Sequence, residues 1–399
     1  MVKALGIVDE VVISDQPTAV QVIKEIKPDF YVKGPDYKDF SKDVTGEIIN
    51  EKNAVEAHGG RLVFTEDETF SSSAIINRFF QNWNDEQKAQ IDSINAAGGI
   101  EEVKRSIEAL SKLNVLVVGE MILDVYRFCR PEGISSKSPT VSARFLYEET
   151  YEGGSAAIFN HLSGLCGALD FIAGNHSPKK IRYISEDKAQ RIFEVTEISE
   201  SKYDTSLIAN TLAARSNYSD VIVAADFGHG LFEKEVMQAL LGLDYTKFIG
   251  LNVQANSSNF GFNTYQKHEN WHYLSIDTRE ARLATRDRVA SPRSIAESIF
   301  NDSPLNCRGV SLTMGSGGAT FLHESGQFLC PAFADNVVDA TGAGDAYFAI
   351  TTVLLASGCK PILIPFIGNV FAGLKTKIIG NKHAVSKAQL LKACEGILK

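Results

Sequence analysis

VVDATGAGDAYFAI (337–350) sets a glycine-rich turn with an acid against an apolar run. Three readings compete for it. A dinucleotide fingerprint GxGxxG needs a third glycine where Tyr347 stands, and it belongs after the first strand of a βαβ unit, whereas this turn comes late. A phosphate loop GxxxxGK[ST] needs a Lys-Ser/Thr that does not follow these glycines. In the third reading Gly342, Ala343 and Gly344 open the helix DAYFAITTVLLAS, so that free N–H groups at its positive end make an anion hole for a phosphoryl group in transfer. Asp345, in the first turn, is expected to stay ionised under the helix dipole and to act as general base toward a hydroxyl. A tight turn with a capping acid accounts for the same residues, so the choice rests on the surrounding sequence.

Around the turn, apolar β-rich runs alternate with helical patterns, which predicts α/β architecture with mainly parallel sheets. From NVLVVGEMILD (114–124) the strand series runs through ALDFIAG, KKIRYI, DVIVAADFG, KFIGLNV, WHYLSID and GVSLTMG, giving one large domain over 113–399. The polar stretch 81–112 reads as a helical linker broken at Gly98-Gly99. Residues 1–80 read β-α-β-α-β-α, beginning with EVVIS (10–14), a thin set for a parallel sheet that needs both faces covered.

Composition sets outer limits. A net charge of −9 argues against nucleic-acid or anionic-membrane binding by bulk electrostatics. The start shows no signal-peptide pattern, and no apolar run of about 18 residues is present to span a membrane. Six scattered cysteines without a CxxC pair read as reduced thiols of a cytoplasmic protein.

Several motifs in order then carry a resemblance. DATGAGDAYFA resembles the signature of the ribokinase/PfkB carbohydrate kinases. GEMILD resembles that family's first-strand motif, and EGGSAAIFNHLSGLCG its glycine-pair signature over the substrate. DTRE (277–280) stands at the family's NxxE, with Asp for Asn, TMGSGG (313–318) at its nucleotide loop, and FIGNVFAG at the helix flanking adenine. The resemblance implies a ribokinase-like, mainly parallel sheet flanked by helices, with a small β lid. It implies ATP and Mg²⁺ as cofactors and a sugar hydroxyl as acceptor. It also implies roles: Asp345 as base with the Gly342, Ala343 and Gly344 amides; Asp124, Gly153, Gly154 and Asn160 on the sugar; Thr313, Gly315, Gly318 and Asn369 on ATP; Glu280 and Asp277 on the metal. A homodimer through the lid, with VSARFLYEETYEGG supplying strands, is the implied assembly.

VDEVVISDQPTAVQVIKEIKPDFYVKGPDYKD and AHGGRLVFTEDETFSSSAIINRF resemble the C-terminal half of the cytidylyltransferase-type domain of ADP-heptose synthases. Lys33, Gly34, Asp36 and Tyr37 match its K-G-x-D-Y turn, and Ser71, Ser72 and Ser73 its hydroxyl motif. Together the two resemblances imply a partial Rossmann-like unit before a kinase domain, and a heptose phosphate as acceptor. That unit's HxGH motif does not occur in the chain, so nucleotidyl transfer is not expected. FIAG (171–174) runs almost directly into KKIRYI (179–184), where most of the family places a helix and a strand below the sugar. The alternative is a non-catalytic or truncated nucleotide- or sugar-binding protein. HENWH (268–272) formally matches the zinc motif HExxH, which works only on a helix; the strand pattern YLSID follows directly, so it reads as a loop-to-strand junction.

Overall fold

The computed structural model describes residues 6–14, 18–34, 47–65, 83–186, 190–198, 202–244, 246–256, 259–334 and 336–399. They belong to two units, Met1–Asn82 and Trp83–Leu398.

In the first unit, strands β1 (Phe30–Lys33) and β2 (Arg61–Phe64) pair in parallel, Phe30 opposite Arg61. The helices Val20–Ile26 and Ile48–Glu56 meet through Ile23, Ala54 and Val55. Glu10 to Ser14, expected as a strand, is not one, and Ile13 is 93% exposed. Lys33 pairs with Glu51 at 2.8 Å. The matching residues Asp36, Tyr37, Ser71, Ser72 and Ser73 lie outside the described residues.

The second unit is built on an eight-stranded sheet. Its strands β6 (Ala168–Ala173), β3 (Asn114–Gly119), β9 (Val221–Asp226), β10 (Phe248–Val253), β11 (Tyr273–Asp277) and β12 (Gly309–Thr313) run parallel in that order. The antiparallel strands β13 (Ala319–His323) and β14 (Gly326–Cys330) extend one edge. VIVAAD and FIGLNV are buried at every position, as strands covered on both faces must be. The helix Ala343–Ala356 provides part of that cover and is buried from Asp345 through Leu355. It lies so close that a Cβ at Gly250 would stand 2.3 Å from Thr352 Cγ2. Because β6 and β9 flank β3 on opposite sides, the strand order reverses there, and the carboxyl ends open a crevice.

Four further strands form the lid, in the order β5–β4–β7–β8. They are β4 (Met121–Ile134), β5 (Val141–Gly154), β7 (Lys179–Ser185) and β8 (Gln190–Glu197). Residues 174–178 carry the chain from the edge of the large sheet straight into the lid. The helices Asp85–Ala96 and Gly99–Ala109, expected as a linker, instead pack within this unit, because Ile94, Val103, Ile107 and Leu110 make a fully buried stripe. Trp83 meets Phe333 edge-on at 5.5 Å, and Lys360 Nζ donates to Ala97 O at 2.8 Å.

Candidate active site

Gly342 caps the buried helix with φ +79°, a left-handed conformation that glycine adopts without strain. A Cβ there would lie 3.1 Å from Asn381 Oδ1 and 3.3 Å from Lys375 Cε. The Ala343 amide turns back onto Ala340 O at 3.2 Å, which corrects the expectation of three free amides. Among the described residues the N–H groups of Gly342, Gly344 and Asp345 have no acceptor. They remain available to an anion.

Asp339, two residues before Thr341, braces this turn. Its Oδ1 accepts from Thr341 N (3.0 Å) and Oγ1 (2.7 Å), its Oδ2 from Tyr126 Oη and Gly380 N, both at 2.9 Å. Burial opposes ionisation, but these bonds outweigh it and hold the Asp339 pKa at about 2. Arg191 of β8 adds an ion pair at 3.3 Å.

The Asp345 carboxylate is buried, and its Oδ1 accepts from Gln254 Nε2 at 2.6 Å. Burial pushes its pKa up to about 6, against the Gln254 bond and the charges of Lys180 and Lys375. Burial is the largest influence on this group, and the raised pKa makes its carboxylate a better base than an ordinary aspartate. Gln254 also donates to Asn252 Oδ1 (3.1 Å), whose Nδ2 donates to Ser275 O (2.7 Å).

From Asp345 a cavity of about 700 Å³ extends along the carboxyl ends of β10, β11 and β12. Gly342, Ala343, Gly344, Asp277, Glu280, Thr313, Gly315, Gly318 and Asn369 all line it, so the structure brings together the expected base, anion-hole, metal and nucleotide residues. Asn369 donates to Cys330 O (2.8 Å) and Pro331 O (3.2 Å), shaping a wall made of small residues such as Ala332, Ala334, Ala372 and Gly373. Gln87, on the stretch read as a linker, donates to Ala332 O at 2.7 Å and completes that wall. Asp277 and Glu280 form a reciprocal cap on the helix Thr278–Thr285. Glu280 Oε2 accepts from Asp277 N (2.9 Å) and Oε1 from Ala255 N (3.0 Å), while burial pushes its pKa up to about 7. No cluster of three ligating side chains occurs among the described residues. Asp277 and Glu280 are carboxylates lining the cavity that a hydrated magnesium would meet through water.

Asp124, on the opposite side, is buried and already engaged. Arg182 Nη1 pairs with its Oδ1, and Asn381 Nδ2 donates to its Oδ2 at 3.2 Å. Arg182 also pairs with Glu194 at 3.0 Å and lies over the Tyr126 ring at 5.4 Å. A Cβ at Gly153 would stand 2.2 Å from Asp124 Oδ2, so any side chain there would displace that carboxylate. Gly154 leads into the helix Ser155–Leu162. Asn160 is exposed, off the face carrying Ala157, Ile158, His161 and Leu162, and no described contact joins it to Asp124. His268 bonds Asp226 at 2.8 Å and His272 Nδ1 accepts from Ile249 N at 3.1 Å, so both imidazoles are spent on the fold.

Residues 263–381 match the model of the pfkB family carbohydrate kinases. The chain carries a PfkB carbohydrate kinase domain. It is homologous to the Bifunctional protein HldE of Citrifermentans bemidjiense, 26% identical over 319 residues, covering 70% of this chain and 63% of that relative. The chain thus spans less than two thirds of the length of that curated relative. Over 71% of its length the chain also has the fold of the ribokinase of Thermotoga maritima, with TM-score 0.55, 15% identity, and coverage of 99% of the other chain. Arabidopsis thaliana ribokinase complexed with ribose and ATP aligns with TM-score 0.50 and 15% identity over 71% of this chain and 99% of that one. No helix among the described residues is long and apolar enough to cross a membrane.

Proposed function

We propose that the chain transfers the γ-phosphoryl group of ATP to a hydroxyl of a phosphorylated sugar, of the heptose class implied by the two sequence resemblances. The observation that carries this reading is the buried Asp345 carboxylate, in the same helical turn as the unspent Gly342 and Gly344 amides and beside the 700 Å³ cavity. In this reading the adenine lies against Ala332, Ala334, Ala372 and Gly373, and the phosphates run past Thr313 and Gly315 toward the helix start. Asp345 takes the acceptor proton as the hydroxyl attacks, and the helix amides stabilise the charge on the phosphoryl oxygens. Glu280 and Asp277 would meet the water shell of a bound magnesium, which would supply charge neutralisation to the phosphates. On the acceptor side Lys180, which acts electrostatically on Asp345, adds positive charge suited to a phosphorylated sugar. The chain holds no HxGH, and nucleotidyl transfer forms no part of the proposal. Exposed Ile134, Val141, Phe145 and Phe193 on the lid favour a second copy of the chain as partner.

A second reading, a binding protein without turnover, draws on one observation: Asp124 already has Arg182 and Asn381 as partners. ADP release measured across heptose, hexose and pentose phosphates, with ATP calorimetry alongside, separates the two. Sugar-stimulated ADP release that disappears in Asp345→Asn supports the kinase; ATP binding with no stimulated release supports the binding protein.

A further inference from the structure

Lys375 ends the helix Leu363–Lys375 and is fully buried. The rest of that helix packs through Ile364, Phe366, Ile367, Val370 and Phe371, so leucine or methionine would fill the place without the cost of burying an ammonium. Two of its protons are used on backbone: Nζ donates to Thr341 O at 2.8 Å and to Gly380 O at 2.6 Å. No carboxylate oxygen comes within 4.0 Å of Nζ among the described residues, although Asp339, Asp345 and Asp124 all act on it electrostatically. The charge is held in place by carbonyls and is not quenched by contact. Burial lowers the Lys375 pKa, and the three carboxylates oppose that shift.

Thr341 is the residue whose carbonyl precedes the Gly342 amide. In a planar trans peptide the C=O and N–H point in opposite directions, and the described chain has no cis bond. With its C=O held on Lys375, this peptide presents the Gly342 N–H on the opposite side, away from the ammonium. Gly342 lines the cavity, and a Cβ on it would lie 3.6 Å from Nζ.

We infer that Lys375 is a positioning residue for phosphoryl transfer: a tethered cation that orients the Thr341–Gly342 peptide of the anion hole and adds fixed positive charge behind it. The inference rests on the kinase reading, and its test separates the two. In Lys375→Met, kcat falls about 100-fold, the scale of losing one oriented oxyanion donor, while ADP affinity stays within about threefold of the parent. ADP with tetrafluoroaluminate, a mimic of the phosphoryl group in flight, binds the parent more tightly than ADP alone, and the variant loses that gain. Methylammonium restores turnover at least roughly tenfold in the variant and not in the parent, since a small cation can reoccupy the carbonyl site.

Unchanged kcat in a folded Lys375→Met overturns the inference, as does an intact tetrafluoroaluminate gain. A purely structural lysine predicts a lower melting temperature with both readouts preserved. Should Lys375→Met yield no folded chain, refolding in ammonium against tetramethylammonium chloride decides: recovery in ammonium alone supports the tethered cation, and equal recovery in both overturns it. A parent that phosphorylates no sugar but still binds ADP more tightly with tetrafluoroaluminate would sink the kinase reading and leave Lys375 to be judged on the variant's binding.

Discussion

On one side of Asp345 the cavity is walled by backbone groups and small side chains: the Gly342 and Gly344 amides, the Thr313 and Gly315 loop, and Ala332, Ala334, Ala372 and Gly373. On the other side, Asp124, Arg182, Glu194 and Asn381 meet through charged and amide side chains drawn from β4, β7, β8 and the segment before the last helix. A wall of backbone tolerates no change of chain path but is indifferent to most side chains. A wall of paired side chains depends on register. Asp124 stands opposite Lys180 in the β4–β7 ladder, so Arg182 is its diagonal neighbour on the same face, and a slip of one residue would turn it away. On the kinase reading proposed above, the backbone-walled side would hold a constant group, the nucleotide, and the side-chain-walled side would set which sugar enters.

The largest test of that division is Asp345→Asn. Turnover should fall about 1,000-fold with ATP affinity within roughly threefold, read by ADP release and calorimetry; a matching loss of ATP affinity would mean the two sides are not separable. Gly342→Ala forces a side chain into the left-handed region at a cost of about 1–2 kcal/mol and tilts the amides, so kcat should drop roughly 100-fold with a modest fall in melting temperature. An Ala variant with parental kcat would remove the anion hole from the mechanism.

Arg182→Met leaves buried Asp124 without its cation and should cost about 3 kcal/mol of stability by denaturant titration. In the same variant the acceptor KM should rise several-fold with ATP KM unchanged, and movement of both constants together would blur the comparison. The pH profile comes next. Asp345 acts as a base only when deprotonated, so turnover should rise with pH, about tenfold per unit below 6, and level off above it. A limb near the ordinary aspartate value would show that burial does not tune this group. Smallest is Gln87→Ala, which removes one bond to Ala332 O and should weaken ATP binding roughly fivefold, about 1 kcal/mol, with kcat intact.

Much of the nucleotide side was legible in the sequence because glycine and small residues at fixed spacing dictate backbone path. The spacing Gly342-Ala343-Gly344-Asp345 implied a helix opening with an acid in its first turn, and the structure has that turn with one amide, Ala343, withdrawn. The acceptor side was not legible. Nothing in GEMILD announces that Asp124 will be paired with Arg182, and helical spacing alone did not show that Asn160 faces outward. Gln87 was hidden in a polar stretch, because a narrow buried stripe in a mostly charged helix is easily read as a linker.

By itself, then, the sequence determined the alternation of strands and helices, the parallel sheet, and the placing of Asp345 beside free helix amides, since these depend on periodicity and on conformations open mainly to glycine. Tertiary structure alone decided how basic Asp345 is, which partners occupy Asp124, and that Lys375 lies beneath Thr341 and Gly342. Those depend on burial and on contacts across long stretches of chain, where charge energies are set by surroundings that no local pattern encodes.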